Sequence, residues 1–480
     1  MSKINVVDHQ NTKIVATLGP ASSSPEMLLK LIKAGTNVFR LNFSHGSHAV
    51  HQETIDKIMA IKEEHGVPVG ILADLQGPKL RVGEMENNGL VVNEGDVLTF
   101  VNEKCVGTMD RIYMSYQSFA QDVKIGEKVL IDDGKLMLEV VDTNKEDTVK
   151  LKVLFGGTLS SNKGVNLPDT KISLPSLTEK DLIDLEYILT QPVNWIALSF
   201  VRKAQDIKQL KKKIKDANHP AKVIAKVEKP EAVAKIKEIV KATDAVMVAR
   251  GDLGVEVPME KLPAIQKMII KQCVQRGKPV IVATQMMESM ITNPSPTRAE
   301  ITDVANAVLD GADAVMLSGE TSVGKHPDLV VEAMNKIIDE AEKHYEMQNK
   351  RPKPNRDSET YFSDTICLNA PKIADDINAK GLVGLTVSGY TAFKMSSYRP
   401  KCPIYIFSDR EHMLSTLSLV WGVKCFHYDK FTSTDETIED LTKILKKKGF
   451  VKKGDTVVNT GSMPLQKRFR TNMLKITIVD

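Results

Sequence analysis

Short apolar, β-branched runs recur along this chain, and each ends in polar or glycine residues. They are KIVATLG (13–19), NVFRLNFS (37–44), VGILADL (69–75), WIALSFV (195–201), KVIAKVE (222–228), AVMVARGD (245–252), PVIVATQ (279–285) and AVMLSGE (314–320). Helical patterns such as MLLKLIKAG and AVAKIKEIVKA lie between most of them. Strand alternating with helix predicts parallel strands covered on both faces. Eight such strands predict a closed (β/α)8 barrel, with the chemistry gathered at the C-terminal strand ends. Arg40, Asn42, Ser44, Asp74, Lys226, Glu228, Asp252 and Thr284 fall there.

The alternation breaks once, after the third run. Residues 76–159 carry short alternating strands (DVLTFV, KVLIDD, LMLEVV, TVKLKVLF) separated by turn signals such as EGD, KIGEK and DDGK. That pattern predicts a small β-barrel inserted as a lid over the mouth of a barrel built from residues 1–75 and 160–349. The polar, twice-prolyl stretch KRPKPNRDSET (350–360) reads as a linker. Beyond it GLVGLTVSG, PIYIFS, GVKCFH, DTVVNTG and LKITIVD predict an open α/β sheet, a C-terminal domain over 350–480.

Composition narrows the class. At 480 residues the chain exceeds what one core holds, in keeping with several domains. Its 42% hydrophobic and 26% charged residues are those of a globular protein rather than a disordered or membrane one. No apolar run is long enough to span a bilayer and MSKINVVDHQNTK has no signal-peptide core, so a cytoplasmic protein is expected. The five cysteines are scattered without a CxxC, which predicts neither a disulfide framework nor a structural zinc site. A net charge of +4 is small, and the lysine triplets at 211–213 and 446–448 sit in amphipathic helical patterns; solvated helix faces explain them better than nucleic acid does.

The rim residues suit phosphate chemistry. In AKVEKPEA, Lys226 and Glu228 stand two apart on a strand and face the same way. VARGDLGVE adds Asp252 at the next strand end. Two carboxylates from neighbouring strands can hold a hard divalent ion that keeps its other positions for water and substrate oxygens. Amides around Gly251, Asp252 and Leu253 would cradle an anion, with Arg40 and Lys226 adding positive charge. A phosphorylated acid fits this set, with Lys226 stabilising a phosphoryl group in transfer. Other readings fare worse. Ser44, His45 and Asp74 lack the GxSxG elbow of a hydrolase triad. The RGD of ARGDLG is a three-residue match, and Met286, Met287 and Met290 read as packing.

RLNFSHGSH, DLQGPKLRVG, NKGVNLP, AKVEKPEA, VMVARGDLGVE and the long stretch from ATQMMESM to SGET together resemble the pyruvate kinases, in order and over essentially the whole chain. The resemblance implies transfer of phosphate from phosphoenolpyruvate to ADP, giving pyruvate and ATP, the last step of glycolysis, with Mg²⁺ or, in its place, Mn²⁺. Carried over by position, Lys226 is the phosphoryl-stabilising lysine, and Glu228 and Asp252 are metal ligands. Arg40 lies on the transferring phosphate and Gly251 at the substrate. Thr284 helps deliver a proton to the enolate. Asn42, Ser44 and Asp74 match a monovalent-cation pocket, and His45 and Lys163 resemble nucleotide-side residues. The resemblance also implies a homotetramer.

Two departures from the commoner pattern matter. Potassium-requiring members carry an acid where this chain has Lys79, and Thr-Lys where it has Leu75 and Gln76. The chain thus resembles the potassium-independent, lysine-containing type, with Lys79 as a built-in cation. In the C-terminal domain, Thr386, Ser388, Gly389 and Thr391 match an effector-phosphate loop. Val387 and Tyr390, however, replace basic residues often found there, which argues against fructose bisphosphate. Lys467, Arg468 and Arg470 offer charge for a sugar monophosphate or AMP. The rivals are a Mg²⁺-dependent lyase on a related barrel, which needs no Lys226 or nucleotide lid, and a non-catalytic sensor, which needs none of the rim residues.

Overall fold

The computed structural model describes residues 10–344, 353–430, 433–463 and 470–480. Eight parallel strands close into a barrel: β1 (Lys13–Thr17), β2 (Thr36–Asn42), β3 (Gly70–Asp74), β4 (Trp195–Leu198), β5 (Lys222–Val227), β6 (Ala245–Ala249), β7 (Val280–Ala283) and β8 (Ala314–Leu317). All eight expected runs are strands, and β8 returns to pair with β1 through Lys13↔Ala314 to Ala16↔Leu317. Val15, Val38, Leu72, Trp195, Ala197, Ile224, Met247, Ile281 and Met316 fill the barrel interior. The outward-facing strand residues pack with the surrounding helices in a second, larger cluster. This is a packed core on both faces, as parallel strands require.

Between β3 and β4 lies the inserted domain. Its six-stranded sheet runs from Val165–Asn166 at one edge to Ile112–Tyr113 at the other, and a two-stranded ribbon (Gly89–Val92 with Gly157–Ser160) lies beside it. Arg81 bridges to Gly164 near one edge while Val82 bridges to Met114 near the other, so the sheet curls almost shut around one apolar core. The domain extends beyond the boundary at 159 expected from sequence. Val165–Asn166 pairs with Lys128–Ile131, and Val165 and Leu167 are buried in the same core. The weak signal in NKGVNLP, two strand residues between polar turns, is why the pattern stopped short.

The C-terminal domain is an open sheet ordered β11-β10-β9-β12-β13: β9 (Gly381–Leu385), β10 (Ile404–Ser408), β11 (Val423–His427), β12 (Thr456–Gly461) and β13 (Met473–Ile478). The first four are parallel and β13 is antiparallel at the edge. The domain docks under the N-terminal ends of the barrel strands. The Trp195 indole donates to Thr416 O at 3.1 Å, Arg399 pairs with Asp313 at 3.1 Å, and the Lys13 ammonium donates to Val423 O at 3.0 Å. Part of the expected linker, 350–352, lies outside the described residues. All five cysteines are free, and Met286, Met287 and Met290 are fully buried packing residues. Lys212, Lys213 and the triplet at 446–448 are exposed on helix faces or ends, and Lys211 is half-buried, paired with Asp244. Among the described residues no helix is long and apolar enough to cross a membrane.

Candidate active site

The alternation that fills the barrel also builds its rim. Positions two residues beyond the interior layer face inward at the C-terminal ends: Thr17 above Val15, Arg40 above Val38, Asp74 above Leu72, Ser199 above Ala197 and Lys226 above Ile224. The same period that packs apolar residues below brings polar ones together above.

Asp74 is the hub. Its side chain is 1% exposed; one oxygen takes Arg40 Nε and Nη2 at 2.7 Å each, and the other lies 3.3 Å from the Lys226 ammonium. The third Arg40 nitrogen, Nη1, donates to Thr17 Oγ1 at 3.0 Å. Lys226 also reaches Glu228 Oε1 at 2.9 Å and Ser199 Oγ at 2.7 Å. Burial works against the lysine's charge, but Asp74 and Glu228 outweigh it and hold its pKa above the ordinary value. Burial likewise opposes ionisation of Asp74, yet Lys226 and Arg40 keep its pKa below the usual carboxylate range. Lys226 is therefore a fixed cation, not a proton donor, at neutral pH.

Glu228 differs. Its Oε2 accepts from the Phe200 amide at 2.6 Å, and burial pushes its pKa up; Lys226 opposes this, whereas the like charge of Asp252 adds to it. Two carboxylates that repel across a buried rim have the chemistry of a cation site. Among the described residues no cluster of three His, Cys, Asp or Glu side chains converges, so an ion here would rest on two carboxylates, a Mg²⁺-like set completed by water and substrate.

Thr284 sits just past β7 with φ +67°, followed by Gln285 at +54°, and Phe200 after β4 has +51°. A β-branched residue in the left-handed region is strained, and such outliers cluster at functional sites. Arg250 holds this one. Its Nη2 donates to Thr284 O at 2.7 Å and its Nη1 pairs with Asp303 at 2.7 Å. Thr284 Oγ1 donates to Ala283 O at 2.5 Å and accepts from the Gly251 amide at 2.8 Å. The Gly251 amide, expected to cradle an anion, is thus already engaged. Arg250, Ser199 and the Phe200 amide were not picked out from sequence. Ser199 was findable, since it lies two residues past an inward-facing alanine; Arg250 was not, because its partners lie 33 to 53 residues away.

The mouth around the site is cationic. His45 is exposed, yet desolvation and then the charges of Arg81, Lys79, Arg40 and Lys180 push its pKa down. Ser44 is fixed at the end of β2 by its amide bonding Asn42 Oδ1 at 3.1 Å, and Asn42 is in register with Asp74. Lys163, on the inserted domain, pairs with Asp132 at 3.0 Å. Lys79 stands at this mouth too, where its charge acts on His45. It is exposed and forms no ion pair among the described residues, while the cations at Asp74 are Arg40 and Lys226. Lys79 lines a cleft between the inserted domain and the barrel, together with Phe200, Arg202 and Asp252.

In the C-terminal domain, Gly389 (φ +79°) turns the chain into the helix Tyr390–Ser397, and its amide donates to Thr386 Oγ1 at 2.9 Å. Ser388 Oγ accepts from the Tyr390 amide at 3.5 Å, and Thr391 Oγ1 meets Thr471 Oγ1 at 2.6 Å. Arg470, next to Thr471, bonds the backbone and, at 3.3 Å, the carboxylate of Glu359. Lys467 and Arg468 lie outside the described residues.

A parallel barrel with a fixed cation, a carboxylate pair and a cationic mouth defines a barrel enzyme acting on anionic substrates. Comparison with known proteins makes the class specific. The family model described as "Pyruvate kinase, barrel domain" matches residues 9–331, and "Pyruvate kinase, alpha/beta domain" matches 364–477. The chain is 42% identical to a pyruvate kinase of Geobacillus stearothermophilus over 98% of its own length and 81% of that protein. It is 43% identical to one of Corynebacterium glutamicum over 98% of both. A crystal structure of a pyruvate kinase from Cryptosporidium parvum matches with a TM-score of 0.92 at 34% identity, covering 98% of this chain and 97% of that one. The chain belongs to the pyruvate kinase family, and it is an enzyme, a phosphotransferase.

Proposed function

We propose that the rim of the barrel transfers the phosphoryl group of phosphoenolpyruvate to ADP with a divalent ion, Mg²⁺ or Mn²⁺, and without K⁺. The observation that carries this reading is Lys226, an ammonium held charged between Asp74 and Glu228 at the centre of the rim. In the step, the bond from phosphorus to the enol oxygen breaks and one to a β-phosphate oxygen of ADP forms. The electron pair stays on the leaving enolate, whose carbon then takes a proton. Lys226 and Arg40 face the charge that spreads over the transferring group. Glu228 and Asp252 would hold the metal, which supplies charge neutralisation and polarises phosphate oxygens. His45 and Lys163 stand on the nucleotide side.

Thr284 is assigned to the proton. Its hydroxyl is oriented by Ala283 O and the Gly251 amide. Thr284→Val keeps the β-branch and removes the hydroxyl. Turnover is expected to fall about 10²-fold, the lower end for general acid–base help. Exchange of pyruvate methyl protons with solvent should fall at least as far; unchanged exchange would take Thr284 out of this role.

Lys79 supplies one positive charge to the cleft that in other members an ion provides, while Asn42, Ser44 and Asp74 act as structural anchors. Two unit charges ~4 Å apart interact by up to ~4 kcal/mol at an effective dielectric of ~20, but Lys79 is exposed and solvent screening discounts that. The test is pyruvate formation from phosphoenolpyruvate, ADP and Mg²⁺ in buffer free of Na⁺ and K⁺, then with K⁺ added. Full activity without K⁺ is expected, and Lys79→Met should create a K⁺ requirement of about tenfold. A wild-type enzyme active only with K⁺ overturns the Lys79 role; none in either buffer overturns the reading as a whole.

We further propose a cytoplasmic homotetramer activated by a sugar monophosphate or AMP at the Thr386–Thr391 loop. The edge strand β13, with Ile476 and Ile478 exposed, supports self-association. The effector's phosphate would meet the hydroxyls of Thr386, Ser388 and Thr391, with Arg470 supplying charge beside Thr471. An effector that neither binds nor changes the apparent affinity for phosphoenolpyruvate would count against the loop.

A further inference from the structure

Opposite the active site, where the C-terminal domain meets the N-terminal ends of the barrel strands, positive charge collects with little to answer it. Lys222 opens β5, Lys278 lies just before β7, and Lys211 lies midway along the helix Ala204–Asp216 that precedes β5. From the other domain comes the helix Tyr390–Ser397, carrying Phe393 and Lys394. The Lys222 ammonium lies over the Phe393 ring, 5.5 Å from its centre. A side-chain carbon placed on Gly277 would lie 3.8 Å from Lys394 Cδ, so Lys394 runs beside the Gly277–Lys278 turn. Lys278, Phe393, Ser396, Ser397 and the Arg399–Asp313 pair, joined at 3.1 Å, line one narrow cleft between the two domains.

The acids nearby are already engaged. Asp244 takes Lys211 at 2.7 Å and the Val223 amide at 3.0 Å. Asp364 takes Lys394 at 3.4 Å together with the Tyr390 hydroxyl. Among the described residues Lys222 and Lys278 have no carboxylate within ion-pair distance, and the Lys278 ammonium has no hydrogen bond. Burial lowers the pKa of Lys278, and the charges of Lys211, Lys222 and Lys394 lower it further against Asp244. A fold that gathers ammoniums from two domains around a half-buried cleft, with their countercharges used elsewhere, has the donors of an anion site.

We infer that this seam binds a small phosphate-bearing anion between the barrel and the C-terminal domain, held by Lys222, Lys278 and Lys394. Such an anion replaces mutual repulsion with charge-assisted bonds from both domains, so its occupancy ties the C-terminal domain to the strands whose far ends carry Lys226 and Glu228. It is separate from the Thr386–Thr391 loop, which lies at the other end of the same helix.

Inorganic phosphate is the probe. Its stabilisation of the full-length protein is followed by melting temperature against phosphate concentration, at constant ionic strength. The active site and the Ser388 loop contribute alike to wild type and variants, so the difference reads the seam. Lys222→Gln/Lys278→Gln should weaken the phosphate-dependent rise about tenfold or more in concentration, the loss expected when bonds to a charged group are removed. Ser388→Ala should leave this component intact. Equal phosphate response in wild type and the lysine double variant overturns the site. On the unaltered protein, phosphate should also slow acylation of Lys222 and Lys278 by an amine-directed reagent more than that of exposed Lys212; equal protection of all three would overturn the site as well.

Discussion

Lys226→Met is expected to lower turnover by about 10³-fold or more while leaving the apparent affinity for phosphoenolpyruvate nearly unchanged. The geometry explains the split. Among the described residues Lys226 is the one ammonium that touches both Asp74 and Glu228, and it sits where inward-facing rim side chains converge. A cation preset there gains most when charge spreads over the phosphoryl group in transfer, and little when the intact substrate docks. The fold should tolerate the change, because Asp74 keeps Arg40 at 2.7 Å and Glu228 keeps the Phe200 amide at 2.6 Å. Steady-state kinetics with a binding measurement for phosphoenolpyruvate decides it. A variant with near-normal turnover would remove Lys226 from the chemistry; one with lost binding and normal turnover would make it a substrate anchor. Lys226→Arg tests placement, since a forked guanidinium cannot occupy a point charge's position between two carboxylates and a hydroxyl.

The parts of this site that were legible in the sequence share a physical cause. Strand periodicity fixes which residues face inward, so Arg40, Asp74, Lys226 and Glu228 could be placed on one rim from spacing, and the structure brings them within direct contact. Phosphate chemistry followed from residue type, whereas the individual roles came from resemblance to the family. What the pattern did not carry was set by contacts between distant segments. Arg250 orders Thr284 through Asp303, and no local rule ties those three positions. Lys79 was grouped with Asp74 through the family resemblance; beyond the turn at Gly77 (φ +69°) it lines the cleft beside the inserted domain. The end of the inserted domain was misplaced for a related reason. The two-residue strand Val165–Asn166 owes its structure to pairing with Ile131 and Leu130 rather than to its own sequence.

Asp74→Asn should destabilise the barrel more than most single changes, because it removes a charge and leaves two. Arg40 and Lys226, both largely buried, would face each other without the carboxylate between them. Breaking a buried pair from one side costs roughly 3–5 kcal/mol, which for a domain of this size lowers its melting temperature by about 10 °C. The pH dependence follows from the sign of the shift. Asp74 has its pKa depressed in the folded state, so its contribution is full above the unfolded carboxylate value of about 4 and is lost as pH falls through the lower folded value. The Asn variant should be less stable at neutral pH and should lose that part of the acid transition. The double variant Asp74→Asn/Lys226→Met separates charge from shape. If unpaired cations cause the loss, removing Lys226 restores part of the melting temperature that Asp74→Asn took away. If the two losses simply add, Asp74 acts through packing and its hydrogen bonds to Arg40, and the electrostatic account of the rim is wrong. Activity gives a second, independent readout. With Asp74 gone, Arg40 loses the two contacts that aim its guanidinium, so phosphoenolpyruvate affinity should weaken in Asp74→Asn while it holds in Lys226→Met.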